Sequence, residues 1–489
     1  YEQKWRISNM MKDVEINTKD EESKNVQKNK KEKLKNNAKN ILVICAKYIL
    51  VFVILIGIYL VLLTVTSLIP SSTLEKHVRE SSETLVEEGE KVTYNLGYKE
   101  ENIFTFTDAL MINTAYSVDN NHPLESSILA RKNYIPGQTK VVYPDSQYNL
   151  GANEKYINKD TGDLYQTDEL YGLMHGDNIE DSYEYARYWH GYLAVLRPLL
   201  SLFNYSGIRI VLFIATLITM IAMIVLLCRK VNVIIGIIYG IGLLAISIFI
   251  VSRSINEILV FLVAFIASIV LLLKKDTKKN IGIFFFIVGS VTNFIDLLTA
   301  PLVTLGLTAT TYFLIIQKKE EKETVKEYIL DILKIGISWT LGYGLTWVAK
   351  WAITEIIYGR PIISQAIEQA LFRSDVPTYK GIELFGPIDV IKRNMNYLST
   401  PVAMMIIAII LVYEILIMIK NRNKKVNVIQ NLKCCLPYMI IFFFPMVWYL
   451  AIKQHSYTHV NFTYRLLVIS IICLLVIATK IFKEEKVNK

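Results

Sequence analysis

The sequence predicts an all-α polytopic membrane protein of about ten transmembrane helices, with one large exoplasmic α or α+β insertion between the first and second helices. Three observations predict this class. Hydrophobic residues make up 53% of the chain, apolar runs long enough to cross a bilayer recur along it, and charged residues crowd into the short segments between those runs. Such a composition is typical of a membrane-embedded protein rather than of a soluble one.

The apolar runs divide the chain into domains. We expect a disordered cytoplasmic tail at 1–40, a first transmembrane helix at 41–68, an exoplasmic domain at 69–204, a multi-helix transmembrane domain at 205–482 and a cytoplasmic tail at 483–489. The runs of the multi-helix domain lie at 208–228, 231–251, 257–273, 281–298, 300–316, 329–353, 400–419, 435–452 and 464–482. The tail at 1–40 has few large apolar groups, so it cannot bury enough surface to offset its conformational entropy.

The first apolar run, 41–68, follows a lysine-rich flank, as the core of a signal peptide would. It is too long for one, because a signal core has about 7–15 apolar residues followed by a cleavage site of small residues. Residues 64–68 read Thr-Val-Thr-Ser-Leu and supply no such site. We interpret the run as an anchor and first spanning helix. Because the chain opens on Tyr1 rather than Met, we expect further residues upstream.

Lysine and arginine gather in alternate connections between the runs. Basic clusters lie at 229–230, 274–279, 318–319, 420–425 and 480–483. With the N-terminus inside, alternation of the spans places all of them in the cytoplasm, as the positive-inside rule requires. It places every histidine outside, namely His77, His122, His175, His190, His455 and His459. We therefore expect a multi-pass protein of a bacterial plasma membrane, with both termini cytoplasmic and an exoplasmic working face.

The net charge of +9 would suggest nucleic acid in a soluble protein. Here the basic residues flank membrane spans, so topology and contact with anionic lipid headgroups account for the charge, and we expect no nucleic-acid partner. The five cysteines all lie within or beside apolar runs. This distribution excludes a disulfide framework or a thiolate metal site in the insertion.

Two acidic residues of the insertion are candidate catalytic groups. In the segment 106–116, Asp108 shares a helical face with Met111, Ile112 and Ala115, so its carboxylate would lie along an apolar surface. Such surroundings raise the pKa of a carboxylate and suit it to general-base catalysis. The alternative is that Asp108 caps the start of a helix. Asp119, in the run Asp-Asn-Asn-His-Pro, is the second candidate.

Basic residues also gather where the insertion re-enters the membrane. The segment 185–193 reads Tyr-Ala-Arg-Tyr-Trp-His-Gly-Tyr-Leu and is followed by Arg197. Its aromatic residues are typical of an interfacial belt, which needs no charge. Arg187, His190 and Arg197 are therefore candidates for binding a lipid phosphate or pyrophosphate, and a structural role for the three is equally open.

Two further segments carry polar side chains near outer helix ends. The turn 453–465 contains His455, His459 and Arg465, which we predict donate to phosphate or sugar oxygens. The two histidines are four residues apart, but no acidic residue accompanies them as in a metalloprotease. Asp296 precedes a helix break at Pro301 and either binds substrate or forms an ion pair with a basic residue.

Several enzyme classes are excluded. The sequence contains no phosphate-binding glycine loop, dinucleotide fingerprint, kinase motif set or nucleophile elbow. The predicted cytoplasmic connections are too short for a nucleotide-binding domain, so an activated donor would arrive through the membrane. We predict no metal site and leave cofactors unknown; a divalent metal is compatible with the sequence but not required by it.

One spanning helix, a large outer loop with an acidic residue and a bundle with a polar last outer turn together resemble the GT-C class of polytopic membrane glycosyltransferases. The likeness covers 41–482 and is architectural, while segments 106–110, 188–192 and 455–465 look like motifs of an uncharacterised family of bacterial multi-spanning proteins. In GT-C enzymes an acidic residue of the first outer loop deprotonates the acceptor, and the donor is a polyprenyl-phosphate sugar. The matching residue is Asp108, without the adjacent acidic residue common in that class.

We therefore predict a glycosyltransferase of polysaccharide biosynthesis that moves a sugar from a polyprenyl-phosphate donor to a cell-envelope glycan acceptor on the exoplasmic side. Asp108, with Asp119 second, would be the base. The substrate-binding residues would be Arg187, His190, Arg197, Asp296, His455, His459 and Arg465. Two alternatives remain open: a polymerase or ligase of undecaprenyl-linked glycans, and a non-enzymatic lipid or glycan transporter or flippase.

Overall fold

A computed structural model of the chain describes residues 38–134, 139–141, 155–157, 166–176, 181–318, 324–376, 378–379, 382–420 and 426–481. The predicted tails at 1–40 and 483–489 lie outside these residues, except for 38–40. Contacts between residues divide the chain into two units, Tyr1–Leu55 and Ile56–Lys489. The described residues of the first unit belong to helix α1, Ala38–Ser67, and every contact given below joins residues of the second unit.

The insertion after α1 is a mixture of helices and short strands. In chain order its described elements are α2 (Ser71–Glu88), β1 (Lys91–Asn95), β2 (Glu100–Phe104), α3 (Thr105–Tyr116), α4 (Pro123–Leu129), β3 (Arg131–Tyr134), β4 (Thr139–Val141), β5 (Lys155–Ile157), α5 (Gln166–His175), β6 (Asp181–Glu184) and α6 (Leu193–Leu200). The strands form antiparallel pairs, β1 with β2, β3 with β6 and β4 with β5. Pairs this small need support from packed helices.

The remainder of the chain is almost wholly helical. Its described elements are α7 (Tyr205–Lys230), α8 (Val233–Ala245), α9 (Ile248–Val251), α10 (Ile255–Leu273), α11 (Ile281–Ile295), α12 (Leu302–Lys318), α13 (Val325–Tyr358), α14 (Ile362–Ser374), β7 (Thr378–Tyr379), β8 (Ile382–Glu383), α15 (Pro387–Tyr397), α16 (Thr400–Lys420), α17 (Val428–Phe442), α18 (Phe444–Ala451), α19 (Lys453–Thr458), α20 (Val460–Thr463) and α21 (Leu467–Ile481). A single 3₁₀ turn, Tyr464–Leu466, joins α20 to α21.

Among the described residues, six helical segments are long and apolar enough to cross a membrane. They are α1, α7, α10, the apolar part of α16, the pair α17–α18 and the stretch from α20 to α21. Three further apolar helices, α8, α11 and α12, have 10–17 residues. The prediction of an all-α membrane protein is confirmed. The number of about ten spans, the sidedness of the loops and the exoplasmic place of the insertion stay predictions.

Two of the predicted apolar runs are interrupted. The run 231–251 breaks between α8 and α9, where Ser247 has a φ of 58°, and a left-handed residue cannot continue a right-handed helix. The run 435–452 divides at Phe443, just before Pro445 at the start of α18, because proline lacks the N–H that an unbroken helix would use there. With 13 residues, α8 is about 20 Å long and shorter than the hydrocarbon core.

Helices α11 and α13 approach each other closely through a reciprocal pair of glycines. A Cβ atom added to Gly289 would meet the carbonyl group of Trp339, and one added to Gly342 would meet the carbonyl group of Phe286. Small residues at such positions allow two backbones to come into contact. The close approach aligns the end of α11, which leads to Asp296, with the aromatic face of α13.

Candidate functional site

Asp108 lies on α3, together with the buried residues Met111, Ile112 and Ala115, as the sequence predicts. Its carboxylate caps another helix. Oδ1 accepts from the backbone N–H of Asn256 at 3.1 Å, and Oδ2 accepts from that of Ile255 at 3.2 Å. Both groups belong to the first turn of α10, where unpaired N–H groups and the helix dipole favour an anion. The side chain therefore joins α3 to α10.

Two hydroxyl groups complete the surroundings of this carboxylate. The Tyr205 hydroxyl donates to Oδ2 at 2.8 Å and the Ser254 hydroxyl to Oδ1 at 3.4 Å. We call Asp108, Tyr205, Ser254, Ile255 and Asn256 the α10 cap. Burial raises the pKa of Asp108, and the hydrogen bond from Tyr205 opposes that rise. Both carboxylate oxygens of Asp108 are thus engaged by donors of the protein itself.

Arg465 lies in a second buried group of charges. Its guanidinium forms ion pairs with Glu101 of β2, at 3.9 Å, and with Glu257 of α10. Glu101 also pairs with Lys99 and accepts from the Tyr464 hydroxyl at 2.5 Å. These contacts attach the β1–β2 hairpin to the helical bundle. Arg465, predicted to bind substrate, is paired with carboxylates of the protein.

Arg197 and His190, predicted to hold a phosphate, also contact the protein's own groups. The buried Arg197 donates to the backbone carbonyls of Thr66, Ala115 and Ile69, so it ties α6 to the ends of α1 and α3. In the buried His190 ring, Nδ1 lies 3.0 Å from the Tyr192 hydroxyl and Nε2 lies 2.6 Å from the Tyr185 carbonyl. Burial lowers the pKa of His190 to about 3, and the ring is neutral at pH 7.

Asp119, the second catalytic candidate, is a half-buried turn residue whose side chain is 43% exposed. Its Oδ1 accepts from the backbone N–H of Asn121 at 2.9 Å, and its Oδ2 lies 3.0 Å from Nδ1 of His122. The contact with His122 lowers the pKa of Asp119, the opposite of the shift that suits a general base at neutral pH.

A cavity of about 180 Å³ lies between α13, α14 and α18, and three tryptophans face it. We call it the tryptophan cavity. Its lining residues are Arg187, Tyr188, Leu298, Tyr343, Trp347, Trp351, Ala366, Gln369, Ala370, Arg373, Ser374, Trp448 and Ile452. Pockets for drug-sized ligands are larger, at about 300–1,000 Å³, so this cavity suits a ligand of the size of a headgroup.

The aromatic wall of the cavity comes from a regular series on α13. Trp339, Tyr343, Trp347 and Trp351 follow one another at intervals of four residues, which places them on one helix face. Their neighbouring ring centroids are 4.9, 5.5 and 5.5 Å apart. The last three rings line the cavity, and Trp351 is fixed by its indole N–H, which donates to the Arg187 carbonyl at 3.0 Å.

Two hydrogen-bond donors of the cavity have no acceptor among the described residues. The indole N–H groups of Trp347 and Trp448 are buried and find no hydrogen-bond acceptor among the described residues. Two guanidinium groups, those of Arg187 and Arg373, line the same space, and Arg373 donates to the Tyr188 hydroxyl at 2.6 Å. A ligand rich in oxygen acceptors would complete this set, because a buried donor without a partner is costly.

Asp296 lies beside the cavity, two residues before the lining residue Leu298. Its Oδ1 accepts from the backbone N–H of Thr299 at 2.9 Å and from the Thr299 hydroxyl at 2.5 Å. Its buried Oδ2 has no hydrogen-bond partner within the described part of the chain. Burial raises the pKa of Asp296 to about 6, against the opposing hydrogen bonds from Thr299.

The two loops that meet at the cavity contain unusual backbone conformations. His190 has a φ of 53° and Leu298 a φ of 68°. Residues other than glycine rarely adopt these positive values. The loops are joined by the N–H of Gly191, which donates to the Phe294 carbonyl at 2.8 Å. Strained residues of this kind cluster at active sites and ligand clamps, so their position supports a functional interpretation of the cavity.

The histidines of the last predicted outer turn lie next to this loop. His455 Nε2 is 2.8 Å from the Leu298 carbonyl, and the rings of His455 and His459 are 4.8 Å apart. Burial and the nearby charges of His459 and Arg373 lower the pKa of His455 well below its usual range. The contact suits a neutral His455 that positions the Leu298 loop.

The structure thus brings together some of the predicted site residues and not others. Arg187 lines the tryptophan cavity, and Asp296 and His455 adjoin it, while Asp108, Arg197 and Arg465 are held in other contacts. Arg373 and Trp448 escaped the sequence reasoning, and the spacing of four between aromatic residues on α13 was the signal that could have pointed to the wall. No group of three His, Cys, Asp or Glu side chains in the described ranges could hold a metal ion.

No family model, no curated protein and no solved structure matches this chain. The chemistry of the cavity and its surroundings is therefore the basis for a functional assignment.

Proposed function

We propose that the protein is a membrane glycosyltransferase of the GT-C type, which transfers a sugar from a polyprenyl-phosphate donor to a cell-envelope acceptor on the exoplasmic side. The observation that carries the proposal is the tryptophan cavity, in which two guanidinium groups and two unpaired indole N–H groups lie beside a buried carboxylate with a free oxygen. A phosphosugar offers the oxygens that these donors lack.

The donor phosphate would be bound by Arg187 and Arg373. Guanidinium groups form strong, directional hydrogen bonds to phosphate oxygens. The planar rings of Trp347, Trp351 and Tyr343 give the sugar an apolar surface to lie against, and indole N–H groups supply the polar contacts that amphipathic rings offer at such sites. The small volume of the cavity favours a single sugar over the longer glycan that a polymerase or ligase would need.

We assign the role of general base to Asp296 rather than to Asp108. The oxygen of the acceptor hydroxyl attacks the anomeric carbon, and its proton passes to Oδ2 of Asp296. The bond between the anomeric carbon and the phosphate oxygen breaks, and its electron pair remains on the polyprenyl phosphate, whose charge the two arginines stabilise. A base with a pKa of about 6 is ionised at pH 7 and close to the value that favours proton transfer.

The test is transfer by purified protein in lipid nanodiscs, with a panel of polyprenyl-phosphate sugars and fragments of cell-envelope glycans as acceptors. We expect a product with inverted configuration at the anomeric carbon and a turnover by Asp296→Asn that is about 10²–10⁴-fold slower than that of the wild type. If the protein binds a phosphosugar without transferring it, and moves that phosphosugar across the membrane of sealed vesicles, the protein is a transporter and not an enzyme. Full activity of Asp296→Asn would exclude the proposed base.

A further inference from the structure

Helix α14 carries three adjoining stripes with different chemistry. Ala366, Ala370, Arg373 and Ser374 line the tryptophan cavity. On the neighbouring stripe, Ile363, Ile367 and Leu371 are 38%, 52% and 66% exposed. Beyond it lies a polar stripe with the exposed residues Ser364 and Glu368. The order of the stripes follows from the advance of about 100° per residue in an α-helix.

The apolar stripe continues a surface that begins on α13. Ile356 and Ile357, in the last turn of α13, are 82% and 65% exposed, and the chain then reverses through Gly359 into α14. Trp351 lies about one and a half turns earlier and Trp347 about two and a half, and aromatic residues are typical of the boundary of a membrane. The sequence predicts a membrane span at 329–353 within α13, so an exposed apolar surface that continues from this helix is an expected contact for lipid.

We propose that α14 lies in the membrane interface, with its Ile363, Ile367 and Leu371 stripe among the hydrocarbon chains of the lipids and its Ser364 and Glu368 stripe toward water. The mouth of the tryptophan cavity then opens toward lipid, because Ala370 both lines the cavity and is exposed beside the apolar stripe. A single long hydrocarbon chain lies along α14 while its phosphate reaches Arg373. The position of α14 does not depend on the proposed function; only the identity of the phosphate-containing headgroup does.

The position of α14 is tested without any activity assay. In a background in which the five cysteines are replaced by serine, single cysteines are introduced as Ile367→Cys, Leu371→Cys and Glu368→Cys, labelled with a nitroxide and reconstituted in vesicles of phosphatidylglycerol and phosphatidylethanolamine. We expect oxygen, which concentrates in lipid, to relax the labels at 367 and 371. A water-soluble nickel chelate should relax the label at 368.

An exposed residue of a spanning helix, Ile218→Cys on α7 (62% exposed), provides the lipid reference. Labels at 367 and 371 that respond to nickel as the label at 368 does would overturn the proposal. Each protein is compared with the serine background by thermal unfolding, so that a variant that fails to fold is recognised.

The route into the cavity is tested with the transferase assay. Leu371→Ser should raise the KM for a long-chain polyprenyl-phosphate sugar by about tenfold and leave the KM for a donor with one isoprenoid unit unchanged. Glu368→Gln is the matched control on the same helix and should change neither. An equal rise in KM for both donors would contradict the proposal that the donor enters the cavity from the lipid along α14. Absence of transfer by the wild-type protein would refute the proposed function and leave the nitroxide result to decide the position of α14.

Discussion

Two aspartates are buried among the residues that the structure describes, Asp108 in the α10 cap and Asp296 beside the tryptophan cavity, and they differ in what surrounds them. Both oxygens of Asp108 accept hydrogen bonds, from two backbone N–H groups and two hydroxyls. Asp296 is held only by residues of its own loop, and its Oδ1 accepts from the N–H and the hydroxyl of Thr299, three residues further along the chain. A carboxylate that is saturated by distant segments holds those segments together, whereas one with a free oxygen is available to a ligand.

The largest expected difference between the two aspartates is in catalysis. Asp296→Asn should lower kcat by about 10²–10⁴-fold, because the acceptor hydroxyl loses the group that takes its proton. Asp108→Asn should retain the kcat of wild type per folded molecule. Initial rates at saturating donor, divided by the folded fraction from size-exclusion chromatography, provide the comparison. A stable Asp108→Asn protein without activity would reverse the two roles.

The second difference is in stability. Asp108→Ala leaves the N–H groups of Ile255 and Asn256 without their acceptor and should cost roughly 2–4 kcal/mol, seen as a lower midpoint of thermal unfolding in detergent. Asp296→Ala should cost less than about 1 kcal/mol, because its carboxylate is bonded only to residues of its own loop and joins no distant segments. Equal losses in the two variants would remove the distinction between a carboxylate that joins distant segments and one that is bonded only within its own loop.

The third prediction concerns the positive side of the cavity. Arg373→Gln should raise the KM for the donor by roughly 10–100-fold, because a charged hydrogen bond to phosphate contributes about 1.5–3 kcal/mol. Arg360→Gln is the control, since the exposed pair of Arg360 with Glu184 should matter little. Donor titrations at fixed acceptor measure both constants. An unchanged KM in Arg373→Gln would place the phosphate elsewhere.

The pH dependence of the rate should follow Asp296. A base whose pKa is raised to about 6 is protonated, and therefore inactive, below that pH. The transfer rate should be nearly constant above pH 7 and fall about tenfold for each pH unit below 6. Transfer rates measured between pH 4.5 and 8 would show this fall, which is the acid limb of the pH profile. Asp296→Glu, which keeps a carboxylate, should retain the acid limb, and the residual rate of Asp296→Asn should lack it.

The smallest effect should come from Trp448→Phe, which keeps an aromatic ring and removes the unpaired indole N–H. A single neutral hydrogen bond to the donor is worth about 1 kcal/mol, so the KM should rise by about fivefold. The stability should not fall, because that N–H bonds to nothing in the described part of the protein. A fall in stability with an unchanged KM would show that the group serves the fold alone.

The apolar helices and the surroundings of Asp108 could be predicted from the sequence because both depend on local spacing. The 3.6-residue period places Met111, Ile112 and Ala115 beside Asp108, and Pro301 marks the break after α11. The charge of Arg187 among aromatic residues made it a candidate for binding a lipid phosphate, and the structure places it in the lining of the cavity. The sequence could not show that Arg187 and Arg197 have different roles. Residue type does not reveal that Arg197 is surrounded by backbone carbonyls.

Much of the cavity could not be predicted, for a different reason. Arg373 and Trp448 reach the site from α14 and α18, far along the chain from Arg187, and only tertiary packing brings them together. The interruption of the run 231–251 at Ser247 could not be predicted either, because residue type does not indicate that a serine adopts a left-handed backbone conformation. By contrast, the interval of four between Trp339, Tyr343, Trp347 and Trp351 was present in the sequence and predicts a shared face.

Gly289 and Gly342 set the distance between helices α11 and α13 at the point where the two helices cross. Where the two helices touch, each glycine presents only hydrogen to the opposite main chain, so a methyl group at either place would force the two axes apart. Trp347 lies just over one turn beyond that crossing and Asp296 two turns beyond it on the other helix. A larger side chain at the crossing would move these groups away from each other, so the geometry of the proposed site depends on two glycines that do not line the cavity.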